Sequence, residues 1–96
     1  MNFNLTGKTV LVCGGSSGIG LSIAKALAKH VGIQLIIVSS NSEKLQRAKD
    51  EFETDIVPET YKVDLSNKGQ VEDFIGYLKD NNIGVDILIN NSGGPK

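Results

Sequence analysis

The sequence predicts an α/β fold, a parallel four-stranded sheet in the order 3-2-1-4 with helices on both faces. Three observations predict it. Hydrophobic residues switch along the chain between strand-like runs and helical periods, giving the order β-α-β-α-β-α-β. Strands 1, 2 and 4 are apolar without interruption, as a strand must be when both of its faces are covered. Right-handed crossovers between such strands then force a parallel sheet, with helices 1 and 2 on one face and helix 3 over part of the other.

The first strand reads Thr9-Val10-Leu11-Val12-Cys13 and stops at Gly14-Gly15-Ser16-Ser17-Gly18. The first helix carries Ile19, Ile23, Leu27 and Val31 at i+4 steps, with Ala24 and Ala28 alongside. Lys29 and His30 suit its last turn and Gly32 its end. Leu35-Ile36-Ile37-Val38 forms the second strand. Ser40-Asn41-Ser42-Glu43 fits a capping box, with Ser40 as the cap and Glu43 reaching back to it. Leu45, Ala48 and Phe52 continue as the second helix. Glu59 to Val63 alternates as a more exposed third strand. Asp64-Leu65-Ser66 leads into a third helix striped by Val71, Phe74, Ile75 and Leu78. Asp86-Ile87-Leu88-Ile89 is the fourth strand, closed by Asn90-Asn91-Ser92-Gly93-Gly94.

Composition narrows the function. The chain has 96 residues, 40% hydrophobic and 22% charged, with a net charge of −1. Ordinary globular values exclude disorder, and near-neutrality gives no reason to expect nucleic acid or an anionic membrane as partner. The densest basic cluster, Lys44, Arg47 and Lys49, is followed at once by Asp50 and Glu51 and reads as a solvated helix face. Cys13 is the single cysteine, so neither an internal disulfide nor a cysteine metal site can form. Met1 to Thr6 lacks a basic or apolar leader pattern, which predicts the cytoplasm. Residues 1–96 are expected to form one partial domain, because the apolar fourth strand is followed by too little chain to cover its second face and open edge. The sequence is expected to be the N-terminal portion of something longer.

The glycine loop carries the chemistry. Gly14 lets the backbone turn sharply off the first strand, Gly18 leaves room for a pyrophosphate, and Gly20 lets the new helix pack close to the sheet. N–H groups around Gly18, Ile19 and Gly20 would then grip the anion at the helix N-terminus, with Ser16 and Ser17 adding hydroxyl donors. This makes the fold Rossmann-type and the ligand a dinucleotide. A Walker A loop is excluded, because Leu21 and Ser22 stand where Lys and Ser/Thr are needed. The strand before and the helix after are what separate this loop from a chance set of turn glycines.

Gly14-x-x-x-Gly18-Ile19-Gly20 resembles the cofactor loop of the short-chain dehydrogenases/reductases. Asp64-Leu65 is similar to the acidic position of that family that contacts adenine. Asn90-Asn91-Ser92-Gly93 resembles its Asn-Asn-Ala-Gly motif, which borders the cofactor, and Leu5-Thr6-Gly7-Lys8-Thr9 resembles its lead-in. The resemblance covers essentially the whole chain. Two positions depart from it: Cys13 replaces a usual Thr, removing a hydroxyl, and Ser92 replaces Ala.

The resemblance implies an NAD(P)-dependent oxidoreductase moving hydride between nicotinamide and a carbonyl or alcohol substrate, a family that also forms homo-oligomers. It also implies a catalytic Ser and a Tyr-x-x-x-Lys. Tyr61 is followed four positions later by Leu65 and Tyr77 by Asn81, so both tyrosines read as packing residues, and these 96 residues alone are expected to be inactive. The ribose-reading position, about 20 residues after the glycine loop, falls at Ser39-Ser40-Asn41. No carboxylate is there to receive a 2′-OH, and hydroxyl and amide donors with Lys44 nearby favour NADP over NAD. The alternative is a non-catalytic module that binds a dinucleotide or pairs with another chain.

Overall fold

The computed structural model describes residues 7–14, 18–27, 33–52 and 58–90. In chain order they form β1 (Thr9–Cys13), α1 (Gly18–Leu27), β2 (Gln34–Ser39), α2 (Ser42–Asp50), β3 (Glu59–Lys62), α3 (Lys68–Asp80) and β4 (Ile87–Asn90). All strand pairs are parallel, and the sheet order is β3-β2-β1-β4. Fold class and strand order are therefore those the hydrophobic periods predict.

Two apolar clusters sandwich the central strands. Val10, Val12, Leu35 and Ile37 turn to one face, where they meet Ala24 of α1 and Leu45 of α2. Leu11, Ile36 and Val38 turn to the other, where they meet Leu78 of α3 with Val71 and Phe74 alongside. Alternate residues of one strand thus serve different helices. Both central strands need an unbroken apolar run for this reason. Burying each such side chain contributes about 1.5–3 kcal/mol.

α1 packs Ala24 and Leu27 against the first cluster. Gly20, Leu21 and Ala24 are buried, whereas Ile23 and Leu27, expected to lead the stripe, are half-buried. The expected end of this helix, with Ala28, Lys29, His30, Val31 and Gly32, lies outside the described residues.

α2 corrects one expectation. Its cap is Asn41, in extended conformation, whose side-chain oxygen accepts the Lys44 N–H at 2.9 Å. Ser40 does not cap it, and Glu43 closes no box with it. The Ser39 hydroxyl accepts the Asn41 N–H at 3.3 Å, holding the chain extended one residue longer than the box requires. Phe52 lies just beyond the helix and still packs on the first cluster.

α3 is capped at both ends. Asn67 Oδ1 accepts the Gln70 N–H at 3.1 Å. At the other end Asn82 adopts a left-handed φ of 55°, which asparagine tolerates better than most residues. Asn82 N–H then reaches Lys79 O at 3.1 Å and Ile83 N–H reaches Leu78 O at 2.8 Å, a Schellman closure that folds Ile83 back onto the second cluster. Ile75 departs from its expected place in the stripe and is 45% exposed. The face it shares with Leu88 of β4, 61% exposed, carries no further helix among the described residues.

Side chains tie the N-terminal ends of the strands together. Asp86 Oδ2 accepts the Thr9 N–H at 2.8 Å while Asp86 N–H donates to Thr9 O at 2.9 Å, locking β4 to β1. Thr9 Oγ1 contacts Gln34 Oε1 at 3.4 Å, and Gln34 Nε2 contacts Glu59 Oε1 at 3.5 Å. Among the described residues no helix is long and apolar enough to cross a membrane.

Ile36 is fully buried between β1, β3 and α3, so Ile36→Ala should destabilise the chain by about 2–5 kcal/mol through lost burial and an unfilled cavity. Chemical denaturation checks this; a loss below about 1 kcal/mol would contradict the two-sided core.

Candidate functional site

Parallel register decides where the site lies. Cys13 is level with Val38 on one side and Asn90 on the other, and Ser39 is level with Lys62. The carboxyl ends of all four strands therefore meet at one edge, where ligands bind in open α/β sheets. Gly14, Ser39, Asp64 and Asn90, drawn from four separated stretches of sequence, are brought to that edge.

Gly14 leaves β1 with a φ of 74°, a left-handed turn that a side chain would resist. Its N–H donates to Val38 O at 2.8 Å, so the turn is anchored to β2 as the chain departs. α1 begins at Gly18, and the buried Gly20 lies in its first turn. β1, the Gly14 turn and α1 therefore follow one another in the order the sequence predicts. Ser16 and Ser17 lie outside the described residues, as do Asn91, Ser92 and Gly93.

Cys13, at the end of β1, is half-buried and packs against the second cluster. Burial pushes its thiol up, which favours the protonated form.

At the end of β2, Ser39 is half-buried and Ser40 and Asn41 are exposed. The Asn41 carbonyl oxygen is occupied by its capping bond, which presents the Nδ2 amide as the donor end of that side chain. Lys44, one turn into α2, is exposed beside them.

Asp64 follows β3 with one carboxylate oxygen already engaged. Oδ1 accepts the Ser66 hydroxyl at 2.6 Å and the Ser66 N–H at 3.0 Å. These bonds hold its carboxyl below the ordinary aspartate range, with the Ser66 hydroxyl as the main cause and desolvation only a weak opposing effect. Gln70 Oε1 accepts the Asp64 N–H at 2.8 Å, which ties the loop to α3. Leu65 beside it is exposed. Sequence reading singled out Asp64 but missed Ser66 and Gln70 as its supports; the Asp-x-Ser spacing of an Asx turn is the signal that could have found Ser66.

The tyrosines lie elsewhere. Tyr61 packs on Phe74 and Tyr77 at ring-centroid distances of 5.4 and 5.2 Å. Its hydroxyl donates to Glu59 Oε2 at 2.7 Å and lies 3.0 Å from the Tyr77 hydroxyl. Burial, then these two partners, push the Tyr61 phenol up. An open groove of about 420 Å³ beside them is lined by Tyr61, Lys62, Val63, Gln70, Asp73, Phe74 and Tyr77 and contains none of the predicted site residues.

With this geometry in place, comparison with known proteins is decisive. The sequence pattern of the short chain dehydrogenases matches residues 8–96. The chain belongs to the short chain dehydrogenase family. It is 36% identical over 92 residues to gluconate 5-dehydrogenase of Gluconobacter oxydans, covering 95% of this chain and 36% of that protein. It is 38% identical over 90 residues to D-beta-hydroxybutyrate dehydrogenase of Cupriavidus necator, covering 93% of this chain and 34% of that one. Among solved structures, L-sorbose reductase from Gluconobacter frateurii, complexed with NADPH and L-sorbose, superposes with a TM-score of 0.86 at 28% identity. That match covers 100% of this chain and 37% of the reductase. This short chain dehydrogenase chain thus spans about a third of the length of the curated relatives it matches.

Asp64 supplies a test of the edge geometry. Because the Ser66 bonds favour the charged form, the stabilisation they give is present above the ordinary carboxylate pKa and is lost as pH falls through the lowered one. In an NMR titration the Asp64 midpoint should lie below that of a free aspartate, and Ser66→Ala should move it back up. An unchanged midpoint in the variant would show that Ser66 is not its support.

Proposed function

We propose that this chain is the cofactor-holding part of an oxidoreductase, a single partial domain across residues 1–96 that binds the pyrophosphate and adenosine of NADP in preference to NAD. The observation that carries this reading is the left-handed Gly14 turn at the carboxyl end of the central strand, directly ahead of the first helix. Such a turn leaves main-chain N–H groups at a helix N-terminus without side chains in front of them, and that is a diphosphate cradle.

Gly14, Gly18, Ile19 and Gly20, with the hydroxyls of Ser16 and Ser17, hold the pyrophosphate in this reading. Ser39, Ser40 and Asn41 meet the adenosine ribose, Asp64 and Leu65 flank the adenine, and Asn90, Asn91, Ser92 and Gly93 border the cofactor beyond β1. The fit is supported by the donor character of the ribose edge. Residues 39–41 hold two serine hydroxyls and the amide end of a capping asparagine, with no carboxylate among those three residues. The L-sorbose reductase neighbour was solved with NADPH.

Bound there, the nicotinamide supplies hydride exchange with a carbonyl or alcohol substrate in the whole protein. The contribution of this chain is binding and orientation: it fixes the diphosphate by main-chain donors and the adenosine by the strand ends. Proton transfer to substrate falls to residues other than Tyr61 and Tyr77, whose hydroxyls are engaged with Glu59 and each other.

Two measurements test this. Calorimetric titration should show NADPH binding more tightly than NADH; the reverse order would overturn the NADP preference. Gly18→Val should lower dinucleotide affinity at least a hundredfold while leaving the circular dichroism spectrum unchanged, because the branched side chain fills the place of the diphosphate. Full affinity in that variant would remove the cradle.

A further inference from the structure

We propose that the β3 edge of the sheet is a self-pairing surface, on which a second copy of this chain adds its own β3 antiparallel about a two-fold axis at Tyr61. Among the described residues β3 is the outermost strand on its side of the sheet. Val63 N–H donates to Ser39 O at 2.9 Å, which fixes the phase of the ladder. In a parallel ladder alternate residues direct both main-chain groups to the same neighbour. The odd-numbered residues of β3 therefore face β2, and Thr60 and Lys62 face outward.

The open stretch of this edge is bounded on both sides. Pro58, the outward position before Thr60, has no N–H to offer. Asp64, the outward position after Lys62, has its N–H occupied by Gln70 Oε1 at 2.8 Å. Among the described residues, the donors left open on the edge are those of Thr60 and Lys62. A protein that shortens and charges an edge in this way restricts what can pair with it.

A second copy fits that window in one register. With Thr60 opposite Lys62 of the other copy, each pair exchanges two main-chain bonds, giving four in all. Tyr61 then faces its own counterpart across the axis, in the close, non-hydrogen-bonded position where aromatic pairs stabilise strands. The aromatic cluster of Tyr61, Phe74 and Tyr77 becomes continuous through the axis, and Tyr77 is 41% exposed without it. Shifting the register one way sets Lys62 against Pro58, which has no donor. Shifting it the other way sets Lys62 against Lys62, two cations directly opposed. The edge is complementary to itself and poorly matched to a longer strand.

The whole chain should therefore show a monomer–dimer equilibrium in sedimentation equilibrium. The amides of Thr60 and Lys62 should gain protection from hydrogen exchange as concentration rises, while that of Val63, already bonded to β2, should not. Thr60→Lys places like charges opposite each other at both symmetric positions and should weaken the dimer about tenfold. Adding Lys62→Glu to Thr60→Lys makes both pairs opposite in charge and should restore the dimer to at least the original affinity. The proposal is overturned if the chain stays monomeric, or if Thr60→Lys leaves association unchanged, as pairing through β4 would. A double variant no stronger than the single one, or concentration-independent exchange at Thr60 and Lys62, overturns it equally.

Discussion

The arrangement depends on one constraint: every strand of the sheet runs in the same direction with its apolar residues divided between two faces. β1 and β2 bury nearly their whole length, sending Val10, Val12, Leu35 and Ile37 to α1 and α2 and Leu11, Ile36 and Val38 to α3. Because each strand must return to the same end before the next begins, a helix fills every return. The carboxyl ends of four strands then fall at one edge whatever their side chains are. Gly14, Ser39, Asp64 and Asn90 share a site as a consequence of direction and register, with no contact of their own needed to bring them together.

The two edges of the sheet divide the work. At the amino ends, Asp86, Thr9, Gln34 and Glu59 form a chain of polar contacts across the strands and set their relative height. At the carboxyl ends, polar side chains are spent on holding loops in shape: Asn41 caps α2, Ser66 bonds Asp64, and Gln70 ties the Asp64 loop to α3. The Ser66 bonds also favour the ionised form of the Asp64 carboxylate at that edge. Ligands of open α/β sheets bind at this end of the strands.

The outer strands carry their exposure differently. β3 is short, bears Glu59 and Lys62, and is closed by Pro58 before it and by the Gln70 amide after it. β4 leaves Leu88 exposed on the face of α3, where Ile75 is also exposed.

Much of this was legible in the sequence, because hydrophobic period and glycine spacing are local signals tied directly to backbone geometry. The four strands and the turn at Gly14 follow from residues within a few positions of one another, and the strand order, with the division of helices between faces, follows from the fold type those elements imply. The polar supports did not follow. Ser40 and Glu43 satisfy the spacing of a capping box, yet Asn41 caps the helix, because a bond from its own N–H to Ser39 keeps the chain extended for one more residue. Ile75 satisfies the helical stripe, yet it is exposed, with no further helix over that face among the described residues. Asp86 reads as an ordinary residue before a strand until Thr9, 77 positions away, is laid beside it. Sequence alone determined the class of fold and the place of the glycine turn after the first strand. Tertiary structure decided the pairings across the sheet, Asp86 with Thr9 and Gly14 with Val38, since those partners are separated along the chain and meet only when the register of the sheet is set.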